Sequence, residues 1–197
     1  MSGKQIHIDL ETLATSYNAQ ILSIGAVCGN AEFYIEVDTS LYDDTFAVSE
    51  STREWWVSKG GFKPTLLDLF SPGNAINQLA DFIAGVVKQE RDFEVWANSP
   101  SFDCAILRHH FDQHFLPCPW EFWQERDVRT IKNAAKRLRM NLRERSNPHH
   151  ALQDAKNQQM LVDSFFKTMA RDIGLARDCL EGVWPGLESD QHGSSSQ

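Results

Sequence analysis

The chain has 197 residues, 42% of them hydrophobic and 23% charged, with a formal net charge of −8. That length suits one domain with a core of its own. No apolar run nears the ~20 residues of a membrane span, and the opening "MSGKQIHID" lacks the apolar stretch of a secretory signal. Four cysteines without paired spacing (Cys28, Cys104, Cys118, Cys179) predict reduced thiols in a cytoplasmic protein.

Along the chain, Ile6, Ile8 and Leu10 alternate and predict a strand over 4–10. "AQILSIGAVCG" and "AEFYIEV" predict two more, joined by a hairpin at "GN". "SESTREWWVSKGG" predicts a short helix capped by Ser51 or Thr52 and stopped by Gly60-Gly61. Apolar residues at 76, 79, 82, 83, 86 and 87 have helical spacing. "FEVWAN" then reads as a strand, "SFDCAILRHHFDQHF" as a helix, and "WEFWQERDV" as containing a short strand. "RTIKNAAKRL" is a basic amphipathic helix, and "HALQDAKNQQMLVDSFFKTMARDI" a long final one. A meander followed by βα units predicts an α/β fold: a mixed five-stranded sheet, helices on both faces and the first strand central.

Asp9 and Glu11 end that first strand on one face, since side chains alternate with a period of two. Two buried carboxylates need a partner. A D-x-E triplet alone is weak: roughly 0.7 are expected by chance. A second one, Asp92-Phe93-Glu94, starts its strand beside "KQER" and is expected at the surface. H-x-A-x-x-D, from His149 to Asp154, is far rarer, with roughly 0.03 expected. Asp103 opens a helix directly after a strand, where the helix dipole favours an acid in any case. From Arg126 to Arg145 stand Arg126, Arg129, Lys132, Lys136, Arg137, Arg139, Arg143 and Arg145 against only Asp127 and Glu144. That stretch is either a solvated face or a wall for phosphates. His110 and His114, four apart on a helix near His109, Cys104 and Cys118, offer a zinc geometry, but no close cysteine pair joins them; an amphipathic helix surface is the preferred reading.

Taken in order, D-x-E on strand one, Asp103 after the fourth strand and H-x-A-x-x-D on the last helix resemble the DEDDh 3′–5′ exonucleases. These are the DnaQ-like branch of the ribonuclease H-like fold, and the resemblance spans residues 4–170. "STREWW" followed by "SKG" is further similar to the phage exonuclease A group and its bacterial exoribonuclease relatives. The resemblance implies an exonuclease domain over 1–175 and a partly flexible tail over 176–197. Asp9, Glu11, Asp103 and Asp154 match the metal-binding acids and His149 the general base, with a slip of one residue to His150 left open. Leu10 and Thr12 are expected to border the terminal nucleotide. Trp55, Trp56 and Phe102 are expected to stack on bases or to pack in the core, and Arg129, Lys132 and Lys136 to hold backbone phosphates. Asn98, five residues before Asp103, takes no role. Four carboxylates at ~5 Å repel by on the order of 3 kcal/mol per pair at an effective dielectric of ~20, which implies two divalent ions, Mg²⁺ or Mn²⁺. The implied partner is a single-stranded 3′ end, DNA ahead of RNA on the phage-like segment. A bacterial or phage-infected host cytoplasm, and a homodimer as in some relatives, complete the expectations. An inactive nucleic-acid-binding module of the same fold and a trimmer of very short fragments are the competing readings.

Overall fold

The computed structural model describes residues 3–65, 68–140, 142 and 149–172. Arg143, Arg145 and the predicted tail over 176–197 lie outside the described residues. Strand β1 (Lys4–Thr12) buries Ile6, Ile8 and Leu10 on one face, and turns His7, Asp9 and Glu11 to the other. β2 (Ile21–Cys28) and β3 (Ala31–Glu36) fold back antiparallel, and the hairpin between them turns at Gly29, whose φ of 59° favours a residue without Cβ.

Helix α1 (Glu50–Ser58) follows. Its cap is Ser49 rather than Ser51 or Thr52. The Ser49 carbonyl accepts from the Thr52 and Arg53 amides, and its hydroxyl turns to Ser51 instead of capping a backbone N–H. The helix ends, as predicted, before Gly60 and Gly61, both at positive φ (90° and 79°). After α2 (Pro72–Val87) the chain re-enters the sheet as β4 (Phe93–Ala97), parallel to β1. α3 (Asp103–Gln113), β5 (Glu125–Asp127, parallel to β4), α4 (Val128–Arg137) and α5 (Ala151–Asp172) complete the order. The sheet runs β3-β2-β1-β4-β5, so β1 is central, with an antiparallel neighbour on one side and a parallel one on the other. Among the described residues no helix is long and apolar enough to cross a membrane.

Each face of the sheet has its own core. Ile6, Ile8 and Leu10 meet Ile76, Leu79 and Ile83 of α2 and Ile106, Leu107 and Phe111 of α3. On the opposite face Trp96 of β4 packs with Val128 of α4 and with Leu161 and Val162 of α5. Residues Gly3–Phe165 form one compact unit; from Phe166 the helix belongs to a second.

The face carrying Asp9 is where α5 arrives, and Gly25 determines how closely. Gly25 pairs with Asp9 across β1 and β2. A Cβ built on it would lie 2.2 Å from the Ala151 carbonyl carbon and 2.2 Å from the Leu152 nitrogen, so backbone passes directly over backbone. Ala151 and Ala155 are fully buried on the same side of α5. The alanine inside H-x-A-x-x-D is thus a spacing residue: a longer side chain there would lift the helix from the sheet. Gly25→Ala is expected to lower stability by about 1–3 kcal/mol, as overpacking against rigid backbone does, and to weaken divalent-ion binding with it. Thermal melts and Mn²⁺ titration of the variant check both; an unchanged melting temperature would show that α5 can retreat at no cost.

Candidate active site

Three elements deliver the acids. β1 contributes Asp9 and Glu11 at its carboxyl end, and the first turn of α5 contributes Asp154, whose N–H donates to the His150 carbonyl at 2.9 Å. Ligand oxygens of Asp9, Glu11 and Asp154 all lie within 4.8 Å of one another. Asp103, at the first residue of α3, stands outside that set but is 3% exposed and accepts from the backbone N–H of Leu10, between the two strand acids. The four predicted acids therefore meet at one strand end, three as a tight group and the fourth bound to the strand backbone.

Their protonation behaviour follows from burial and crowding. Asp9 is pushed well above the usual carboxylate range, first by desolvation and then by Asp103, Glu11 and Asp154. Desolvation, then Asp154 and Asp103, carries Glu11 up to about 8. Burial carries Asp103 up to about 7 despite the Leu10 amide, its own amide and Arg129, which all pull it down. Burial also raises Asp154, against Asn157, the His150 backbone and the two histidines. His7, fully buried next to Asp9 on the same face and stacked on Trp96 at 5.9 Å, brings no charge: burial lowers it to about 3.

Two other acids in this sheet show what a structural carboxylate looks like. Glu36 is fully buried, yet its oxygens accept from the Thr65 amide (2.8 and 2.9 Å), the Thr65 hydroxyl (2.8 Å) and the Tyr34 hydroxyl (2.6 Å). Glu94, from the second D-x-E, is half-buried in β4 rather than at the surface, and accepts from Gln5, Trp96 and Arg126. Both are satisfied by donors. The β1 acids face mainly each other, and such a hard oxygen set fits divalent Mg²⁺ or Mn²⁺.

The chain reverses at His149, which adopts the left-handed φ of 41°. The two adjacent histidines consequently diverge. His149 is exposed, its ring 4.6 Å from Trp55 and 6.2 Å from Trp56. His150 lies flat on Tyr34 at 4.4 Å, and its Nδ1 is buried with no hydrogen-bond partner among the described residues.

The expected substrate contacts divide. Leu10 is a core side chain on the opposite face, because residues next to each other on a strand point apart; only its backbone reaches the site. Thr12 is buried, with its hydroxyl donating to the Ala14 carbonyl. Trp56 is buried too, donating from Nε1 to the Thr12 carbonyl at 2.9 Å, so α1 is fastened to the strand end by the tryptophan that was expected to stack. Trp55 is 38% exposed beside His149, with the Lys59 ammonium 5.8 Å from the centre of its ring. Phe102 packs partly against the core. Arg129, in the first turn of α4, donates to the Asn98 carbonyl at 3.2 Å and acts electrostatically on Asp103. Lys132 is half-buried and Lys136 exposed, while Arg126 is committed to Glu94 at 3.0 Å. The basic stretch is thus not one uniform wall.

The zinc alternative dissolves into packing. His110 is not on the helix surface: it is fully buried, donates from Nε2 to the Ala19 carbonyl, and is lowered to about 4 by burial. The rings of His109, His110 and His114 surround Phe46.

Gln158, Gly25 and His7 escaped sequence reasoning. Gln158 sits one turn after Asp154 on the buried side of α5 and donates to Asp9 Oδ1 at 2.8 Å. Its spacing from Asp154 was visible; its partner, 149 residues away in the chain, was not.

The family model of the Rv2179c-like 3′-5′ exoribonuclease domain matches residues 4–166. The chain belongs to this family. It is accordingly a 3′–5′ exonuclease. Among solved structures, the nuclease domain of 3′hExo, a DEDDh family member bound to rAMP, superposes with a TM-score of 0.56 at 10% identity, covering 85% of this chain and 92% of that one. Cell-death related nuclease 4 (CRN-4) gives 0.57 at 12% identity over 85% of this chain and 64% of its own. At such identities these likenesses establish the fold. A search of the curated proteins finds no match.

For the metal-free protein the raised acids give a definite pH dependence. Groups whose folded pKa exceeds the unfolded value bind more protons when folded, so their contribution is present below about 4 and is lost as pH rises through about 7 to 8, where Asp103 and Glu11 release theirs. With EDTA the melting temperature is expected to fall between about pH 6.5 and about pH 8, above the range in which the buried His7 and His110, lowered to about 3 and about 4, act in the opposite sense. Mn²⁺ is expected to raise it most at the upper end. A melting temperature independent of both pH and Mn²⁺ would contradict a crowded acid cluster.

Proposed function

We propose that the protein releases nucleoside 5′-monophosphates one at a time from single-stranded 3′ ends. The observation that supports this best is the convergence of Asp9, Glu11 and Asp154 within 4.8 Å, with Asp103 bound to the Leu10 amide beside them. Asp9, Glu11, Asp103 and Asp154 would hold two divalent cations, Mg²⁺ or Mn²⁺. When bound, these neutralise the acids and supply Lewis acidity for an in-line displacement at the terminal phosphodiester.

The side chains have the remaining roles. His149, exposed and with its ring beside Trp55, takes the proton from the attacking water. His150, flat on Tyr34, fixes the entry into α5 instead. Trp55 offers a face to the terminal base, and Arg129, next to Asp103, takes a phosphate oxygen. Lys132 and Lys136 extend that contact along α4. The DNA preference read from "STREWW" rests on that segment alone. The family description is that of an exoribonuclease, so RNA is the first substrate of choice and DNA the comparison.

Matched 3′-labelled RNA and DNA strands of two to thirty nucleotides, incubated with Mn²⁺ or with EDTA, test the reading. Mononucleotide release that needs the cation supports it. Binding without release indicates the inactive module, and release confined to the shortest strands indicates the fragment trimmer. Asp154→Asn is expected to reduce release to background while remaining folded. His149→Ala is expected to lower kcat by about 10²–10⁴-fold, whereas His150→Phe, which keeps a ring on Tyr34, retains most of the rate; the reverse ranking would transfer the base role to His150. If three cationic contacts act, apparent affinity weakens roughly 10- to 20-fold between about 50 and about 200 mM salt.

A further inference from the structure

Gln158 is 4% exposed on the side of α5 that meets the sheet. Its Nε2 donates to Asp9 Oδ1 at 2.8 Å, while its Oε1 is buried with no hydrogen-bond partner among the described residues. An amide buried with one end unpaired is costly. A methionine of the same length would fill this volume without that penalty, so packing does not explain the residue. The bond to Asp9 does. An amide suits the place chemically: it donates at every pH, adds no negative charge to a crowded site, and carries no positive charge that would compete with a cation.

Resting on the exonuclease reading above, we propose that Gln158 is a positioning residue, which holds one oxygen of Asp9 against α5 so that the carboxylate keeps the orientation a divalent cation requires. The same bond ties β1 to the helix that carries Asp154, one turn away, and so keeps two cation ligands in register although they come from opposite ends of the domain.

Gln158→Met retains length and volume and removes the donor. Mn²⁺ titrated calorimetrically into the intact chain is expected to bind about 10–100-fold more weakly than in the parent, the usual effect of losing a hydrogen bond behind a metal ligand. The Mn²⁺ concentration for half-maximal cleavage is expected to rise in parallel, with kcat at saturating Mn²⁺ reduced less. The metal-free melting temperature is expected to hold or increase, since a partnerless carbonyl has gone; a purely structural glutamine would instead lower it and leave Mn²⁺ affinity alone. Equal Mn²⁺ affinity in a folded Gln158→Met protein overturns the proposal. Should that variant not fold, the parent provides the measurement. The Gln158 side-chain NH₂ resonances are expected to shift and gain protection from solvent exchange on adding Mg²⁺, and resonances indifferent to Mg²⁺ overturn the proposal equally. A parent that neither binds Mn²⁺ nor cleaves refutes the exonuclease reading and this inference together. A working parent with an unaffected variant refutes this inference alone.

Discussion

Mutual repulsion among Asp9, Glu11, Asp103 and Asp154 is the constraint around which the rest of the molecule is arranged. Buried carboxylates normally persist because donors surround them, as they surround Glu36. Here Asp9 and Glu11 are crowded by further acids with few donors to offset them, and the buried histidine beside them is kept neutral. Among the described residues, Arg129 is the cation that acts on one of the four, Asp103. A fold that keeps such a cluster in place without counter-ions stores unfavourable electrostatic energy. Binding of divalent cations would release it and so link metal affinity directly to folding stability.

Holding repelling groups together takes rigid supports, and these are visible. β1 is central and fastened on both edges, so its acids have no freedom to separate. The first turn of α5 lies on Gly25 and seats Ala151 and Ala155 against the sheet, which brings Asp154 down to the strand end. Gln158 and the Leu10 amide each hold a carboxylate by hydrogen bond. The groups suited to substrate come from other elements: Trp55 from α1, beside the strand end through the Trp56–Thr12 bond, and Arg129 from α4. The acid cluster and the groups proposed to meet substrate therefore lie on separable parts of the fold.

How much of this was legible in the chain depends on the range of the interaction. Periodicity is a local property, so the strands, the main helices, the central place of β1 and the mixed sheet with two covered faces were readable from apolar spacing and turn residues. The α1 cap was misplaced by two or three residues because serines at 49 and 51 and a threonine at 52 are equivalent by type, and only the backbone geometry at Ser49 distinguishes them. Asp9, Glu11, His149 and Asp154 were visible because D-x-E and H-x-A-x-x-D are themselves short-range patterns, and Asp103 because it opens a helix directly after a strand.

Sequence by itself determined which residues are acidic, where they sit on their elements, and that so many carboxylates cannot be buried without cations. Tertiary structure alone decided their grouping: three acids within 4.8 Å, with the fourth on a backbone amide. It alone decided that Leu10, Thr12 and Trp56 are occupied in holding the site while Trp55 stays exposed, that His149 and His150 face different aromatic walls, and that Gln158 reaches Asp9. The reason is physical. A side chain's type limits which bonds it can make, but which partner it meets depends on how strands and helices distant in the chain pack, and that is a property of the folded molecule as a whole.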